Sequence, residues 1–281
     1  MFFITIGYFG NVATFVTLKF EKGLRLFTNI MLCMVAFWDT MLLIFVALHQ
    51  IFIIQDMSSF TKTKFYLNVF FTNSFVFTSY CSIWHLSVTA LERMCFVVWP
   101  TNPIIRRASV REAVIISVFF ILFALFLSNI PFIFEKFGEV IITSYLNFIF
   151  SVIIPFILLS SSSVILLYKL NKIMNNINPF PTNQIGISTV SSAKMVIVVS
   201  VYYLLSTIPI STLIIISSKN TRKIELFNLY EKPIFSIFLI LWVSNNSIKF
   251  HLYMIFIPHV RKEFINICKK IIYKIKQNFM F

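Results

Sequence analysis

The chain has 281 residues, 58% hydrophobic and only 12% charged, with 35 phenylalanines and a mean hydropathy of +0.88. One ordinary soluble domain of this length cannot hide so much apolar surface. The net charge is +14, but the bases gather between long uncharged runs, a placement that fits membrane-facing loops and not a nucleic-acid groove.

The opening stretch, "MFFITIGYFGNVATFVTLKF", lacks the basic region and small-residue cleavage site of a secretory signal. It reads as a first membrane helix, with Asn11 among its apolar residues. A spanning helix needs roughly 20 mostly apolar residues. Seven runs qualify, at about 2–18, 27–52, 66–98, 111–133, 142–169, 194–217 and 230–256. Each is apolar for longer than the alternating strand of a membrane barrel. In hydrocarbon every backbone group must find its partner within the protein, so these runs predict helices. The expected fold is all-α: a seven-transmembrane helix bundle over 1–257, then a basic amphipathic cytoplasmic helix and tail over 258–281.

Several of these runs contain polar residues that a membrane penalises, since a charge near the bilayer centre costs at least about 2.5 kcal/mol on insertion scales. The second run holds Asp39 in "CMVAFWDTMLL" and ends near His49 and Gln50. The third closes on Glu92-Arg93 in "SVTALERMCFVVWP". The fifth contains Pro155, and the sixth contains Pro209 in "LLSTIPISTL", beside Ser206, Thr207 and Ser211. Each proline removes an intrahelical bond and can bend its helix. The seventh holds Asn245, Asn246 and Lys249 in "LWVSNNSIKFHLYMIF". Asp39 and Lys249 fall at comparable depth, so we expect them to face each other as a buried ion pair, with Asn11, Ser82, Asn245 and Asn246 around them. Such a pair serves equally as a packing clamp or as part of a switch.

Sidedness follows from Lys and Arg. With the first terminus outside, the inner loops and tail collect Lys19, Lys22, Arg25, Arg93, Arg106, Arg107, Arg111, Lys169, Lys172, Lys194 and the bases of "HVRKEFINICKKIIYKIKQNFMF". The tail interleaves Phe264, Ile265, Cys268 and Ile271 with these bases, the pattern of a helix lying on anionic membrane lipid. The location is thus a cell membrane, multi-pass, with the C-terminus cytoplasmic. The four cysteines match no metal motif or dense disulfide framework. The four histidines form no metal-spaced pair, and no phosphate loop or nucleophile elbow is present. The expectation is therefore no enzyme, no metal, no cofactor and no nucleic acid.

In order and depth these fragments resemble the rhodopsin-like (class A) G-protein-coupled receptors. "GNVATFV" resembles the helix-one signature and "CMVAFWDTMLL" helix two. "ALERMCFVVWP" resembles the inner end of helix three, with Met94 in place of the usual aromatic. Pro155 and Pro209 resemble the prolines of helices five and six. "NNSIKFHLY" resembles the Asn-Pro-x-x-Tyr region of helix seven, where Tyr253 matches while Lys249 and Phe250 replace asparagine and proline. The resemblance covers essentially the whole chain.

By that resemblance Arg93 faces a heterotrimeric G protein and is held by Glu92 at rest, with Tyr253 part of the same switch. Asn11, Asp39, Ser82, Asn245 and Lys249 form the polar core. Ile83, Pro155, Tyr203 and Pro209 form a packing relay. His49, Gln50, Thr72, Phe75, Ser79, Tyr145, Asn147 and Ser211 line the ligand pocket. Phe75 stands where amine receptors carry an acid and Val243 where opsins carry a lysine, which disfavours both classes. The resemblance implies an extracellular ligand, a neuropeptide first and a small chemosensory molecule second. A non-signalling membrane paralogue is a further alternative, and a transporter is disfavoured by the absence of a repeated half. The departures include the usual outer disulfide, since Asn68 stands near its cysteine position, and the short first terminus reads as truncation. An ammonium at 249 facing Asp39 stands where the family binds sodium, so sodium sensitivity is expected to be weak.

Overall fold

In the computed structural model, residues 2–20, 25–55, 62–102, 109–135, 145–146, 148–176, 184–219 and 224–279 are described. Among them are eight α-helices: α1 (Phe2–Phe20), α2 (Leu26–Gln55), α3 (Lys62–Val98), α4 (Val110–Glu135), α5 (Ile154–Asn176), α6 (Gln184–Lys219), α7 (Ile224–Phe256) and α8 (Pro258–Phe279). Five segments within them and the turn before α5 are long and apolar enough to cross a membrane: Phe2–Lys19, Leu26–Ile51, Asn73–Val98, Val110–Ile130 and Ile149–Lys169. Lys194–Pro209 is a shorter apolar stretch. The architecture is that of an all-helical chain consistent with a multi-pass membrane protein.

Its surface and core are distributed as a lipid solvent requires. Phe119, Leu122 and Phe126 of α4 and Leu205 of α6 are each 60% exposed or more, while Asn11, Asp39, Asn245 and Lys249 are buried. In water this arrangement would expose the groups that most favour burial and bury those that least tolerate it. Many of the buried hydroxyls are satisfied within their own helix: Thr14 donates to the Gly10 carbonyl, Ser87 to Ile83, Thr89 to His85 and Ser200 to Val196.

Helix α3 is the internal strut. It packs on α2, α4, α5 and α6, while α1 packs on α2 and α7, α5 on α6 and α6 on α7. The main core gathers along it: Tyr80, Cys81, Ile83, Trp84 and Leu86 meet Leu127 of α4, Leu159 of α5, Val199 and Tyr203 of α6, and Tyr253 of α7. Trp84 stacks on Phe120 at 5.3 Å and meets the edge of Phe123 at 5.5 Å. All four cysteines are free, so no disulfide joins the helices.

Two helices are longer than their apolar runs. The polar stretch "QIGISTVSS", read as part of a connection, belongs to α6, and "IELFNLYE" belongs to α7. Hydropathy marks where hydrocarbon ends, whereas a helix continues until its hydrogen bonds or a breaker stop it. The expected residues 142–144 and 147 of the fifth run lie outside the described residues.

Close approach fixes one glycine. A Cβ on Gly7 of α1 would overlap the Ser247 side chain of α7 and sit 2.6 Å from Leu43 Cδ1 of α2. Gly7→Ala is therefore expected to destabilise the bundle by about 1–3 kcal/mol through overpacking. Thermal unfolding in lipid nanodiscs reads this, and a melting curve equal to the parent's would show that α1 shifts freely.

Candidate functional site: two buried polar clusters on the central helix

The first cluster joins α2, α3 and α7. Lys249 Nζ donates to Asp39 Oδ2 at 2.7 Å and Oδ1 at 3.0 Å. Ser82 Oγ donates to Asp39 Oδ1 at 2.5 Å, and Lys249 Nζ also reaches Ser82 Oγ at 3.3 Å. Asp39 is 0% and Lys249 3% exposed, so the attraction acts with little water to screen it. α7 is held to α1 beside this pair: Asn11 Nδ2 donates to the Asn246 carbonyl at 3.1 Å, and Ser247 Oγ to the Phe3 carbonyl at 2.8 Å. Asn246 turns its own amide to the Trp242 carbonyl at 3.1 Å. The Asn245 Oδ1 and the Tyr253 hydroxyl are buried with no hydrogen-bond partner among the described residues.

The second cluster lies at the end of α3 nearest α8. Glu92 Oε1 accepts from Arg25 Nη1 at 2.6 Å. Its other oxygen accepts from Thr28 Oγ1 at 3.0 Å and lies 3.0 Å from Arg93 Nε. One carboxylate thus holds two guanidiniums and a hydroxyl. Arg93 is 2% exposed, and the Arg25 guanidinium also covers the Phe96 ring at 4.6 Å. Sequence reasoning paired Glu92 with Arg93 alone and read Arg25 as a loop anchor. The available signal was the spacing of Arg25 and Thr28, three residues apart where the chain enters α2, which brings both to one side of its first turn.

Between α5 and α6 a proline shapes a third contact. Pro155 has no N–H to give the Ser151 carbonyl four residues back. The preceding turn, Ile149–Ile153, is a π-helix, and the Ser151 carbonyl accepts the Tyr203 hydroxyl of α6 at 2.8 Å. Ile83 and Pro155 are buried, so these residues meet where α3, α5 and α6 converge. Pro209 lies inside α6 and is half-buried.

The expected ligand-pocket residues are less closely gathered. His49 of α2 packs its ring 5.9 Å from Phe71 of α3. Phe75 lies 4.5 Å from Trp242 of α7. Gln50, Ser79 and Ser211 are half-buried and Tyr145 is exposed. Thr72 lies in α3, and Asn147 falls outside the described residues. A described cavity of ≈ 170 Å³ lies elsewhere, between α1 and α2, lined by Asn11, Val12, Phe15, Ala36, Phe37 and Thr40. Among the described residues no group of His, Cys, Asp and Glu is placed to hold a metal.

Neither a comparison with protein-family models nor one with curated proteins returns a match.

Proposed function

We propose that this chain is a seven-span receptor of the rhodopsin-like kind, with its first end outside. In this reading it senses an extracellular ligand, a neuropeptide in the first instance, and activates a heterotrimeric G protein. The observation that carries the reading is the buried Glu92–Arg93 cluster at the basic end of the central helix, with Arg25, just before α2, and Thr28 of α2 closing it. A guanidinium held by a carboxylate in a nearly dry site has two stable arrangements, bound to the acid or released to a partner that enters from the cytoplasm. The Tyr203–Ser151 bond supplies a resting contact between α5 and α6, and it would have to break if α6 moved away. The non-signalling alternative draws on the Asp39–Lys249 pair, which ties α7 to α2 through buried charges.

Guanine-nucleotide exchange in cells tests the reading, with a mixed neuropeptide library and surface expression measured in parallel. The expected result is exchange above that of untransfected cells that Arg93→Ala abolishes at unchanged surface level. A chain that reaches the surface and drives no exchange, with or without any peptide, would favour the non-signalling paralogue.

A further inference from the structure

Among the serines and threonines of the chain, Ser109 alone follows a pair of bases at the third and second positions before it, in "RRASVRE". Arg106 and Arg107 lie outside the described residues and enter from the sequence; Ser109 is described. Two guanidiniums at fixed spacing before a hydroxyl, with apolar Val110 after it, suit an enzyme whose acidic pockets take each guanidinium by charge-assisted bonds.

The fold presents that hydroxyl at low cost. Ser109 is exposed and stands immediately before α4. Its carbonyl accepts the Ala113 N–H at 3.2 Å, the first bond of the helix, which makes it the N-cap. The Glu112 carboxylate accepts both the backbone N–H and the hydroxyl of Ser109. Val110, Arg111 and Glu112 are exposed. Ala113, 0% exposed, is the first residue of α4 in the core, where it groups with Phe27 and Met31 of α2. Opening the turn before Ala113 therefore uncovers no packed side chain. It breaks the cap and one backbone bond.

We propose that Ser109 is a phosphorylation site for an arginine-directed protein kinase, on the membrane face that carries the Glu92 cluster. Ser109 Oγ attacks the γ-phosphorus of a nucleoside triphosphate. The bond from that phosphorus to its bridging oxygen breaks, the nucleoside diphosphate leaves, and the hydroxyl proton passes to the base of the kinase. The phosphate carries about −1.5 to −2 at neutral pH, enough to cancel the excess of Arg106, Arg107 and Arg111 over Glu112. It also removes the proton that Glu112 accepts and sets a second anion against that carboxylate, so the cap contact breaks. The change falls beside Phe27, the neighbour of Thr28, whose hydroxyl bonds Glu92 at 3.0 Å. The acceptor chemistry is independent of G-protein coupling. Its use in a cell rests on the sidedness of the receptor reading, with this end cytoplasmic.

The test uses the full-length protein in nanodiscs, which leave both faces open. It is incubated with ATP and the catalytic subunit of cyclic-AMP-dependent protein kinase, and mass spectrometry maps the phosphate. The expected result is about one phosphate per chain at Ser109, with none at that position in Ser109→Ala. Arg107→Ala should lower kcat/KM by about tenfold or more, the loss of one charge-assisted contact. A free peptide of residues 103–115 should react faster than the intact chain by no more than about thirtyfold, the cost of opening one cap. No phosphate at Ser109, a rate unchanged in Arg107→Ala, or a larger gap to the peptide would overturn the proposal. In cells the same kinase is activated with phosphatases inhibited, and phosphate at Ser109 is expected again. Phosphate in nanodiscs with none in cells that display the chain would place this end outside, overturning the sidedness while the acceptor chemistry stands.

Discussion

Lys249→Met is expected to destabilise the folded chain by about 3–5 kcal/mol, because it strands the Asp39 carboxylate, 0% exposed, without its countercharge. Ser82 is the remaining donor on that carboxylate among the described contacts, and one hydroxyl cannot replace an ammonium that donates to both oxygens. The double variant Asp39→Asn, Lys249→Met should recover most of the loss, since it removes both charges together and leaves neither one buried alone. Thermal unfolding in nanodiscs measures both. A double variant as unstable as the sum of its single changes would show that the two side chains act independently, contrary to the 2.7 Å contact. The same pair governs the response to salt. In the parent chain the ammonium already neutralises Asp39, so sodium and potassium should give equal melting temperatures. In Lys249→Met the carboxylate is open to a small cation, and sodium should stabilise by binding the folded state alone. A parent chain stabilised by sodium but not by potassium would sink the substitution of ammonium for ion.

That contact was legible from sequence for a physical reason. A charge inside an apolar run must be matched, and Asp39 and Lys249 were two such charges at similar depth. Helix existence was legible for the same reason, since a run of hydrocarbon-soluble residues has few alternatives to helix. Helix ends were not. The Ser- and Thr-bearing start of α6 and the Glu-bearing start of α7 carry no hydropathy signal. The π-helical turn before Pro155 was half legible: the missing N–H announces a disturbed helix, but nothing local names Tyr203, 52 residues away, as a partner of the Ser151 carbonyl. Arg25 was hidden by its surroundings. In "EKGLRLFTN" a base reads as an inner-loop anchor, and only the fold brings it to Glu92, 67 residues on. The ligand-pocket assignments rested on positions matched by resemblance, where neither charge cost nor periodicity constrains a side chain.

Glu92 is the point where the two readings of the chain make different demands. Its carboxylate holds Arg25, Thr28 and Arg93 at once, so Glu92→Gln leaves the nearly buried Arg93 facing an amide in place of a charge. The expected loss in stability is about 3 kcal/mol, near the lower range for breaking a buried ion pair. Arg25→Ala should cost less, about 1 kcal/mol, because the Arg25 side chain is 19% exposed and water takes up part of the lost interaction. In the Arg25→Ala background the effect of Glu92→Gln should shrink, giving a coupling of about 0.5–3 kcal/mol between the two sites. If the cluster is a resting lock, releasing Arg93 also raises ligand-independent exchange, about tenfold for every 1.4 kcal/mol by which the resting state is weakened. A purely structural cluster predicts the loss in melting temperature with no change in exchange at matched surface level. Stability and exchange both at parental values in Glu92→Gln would remove the cluster from either role. The outcome turns on whether the energy stored between Glu92 and Arg93 holds one conformation against another or only the folded state against the unfolded.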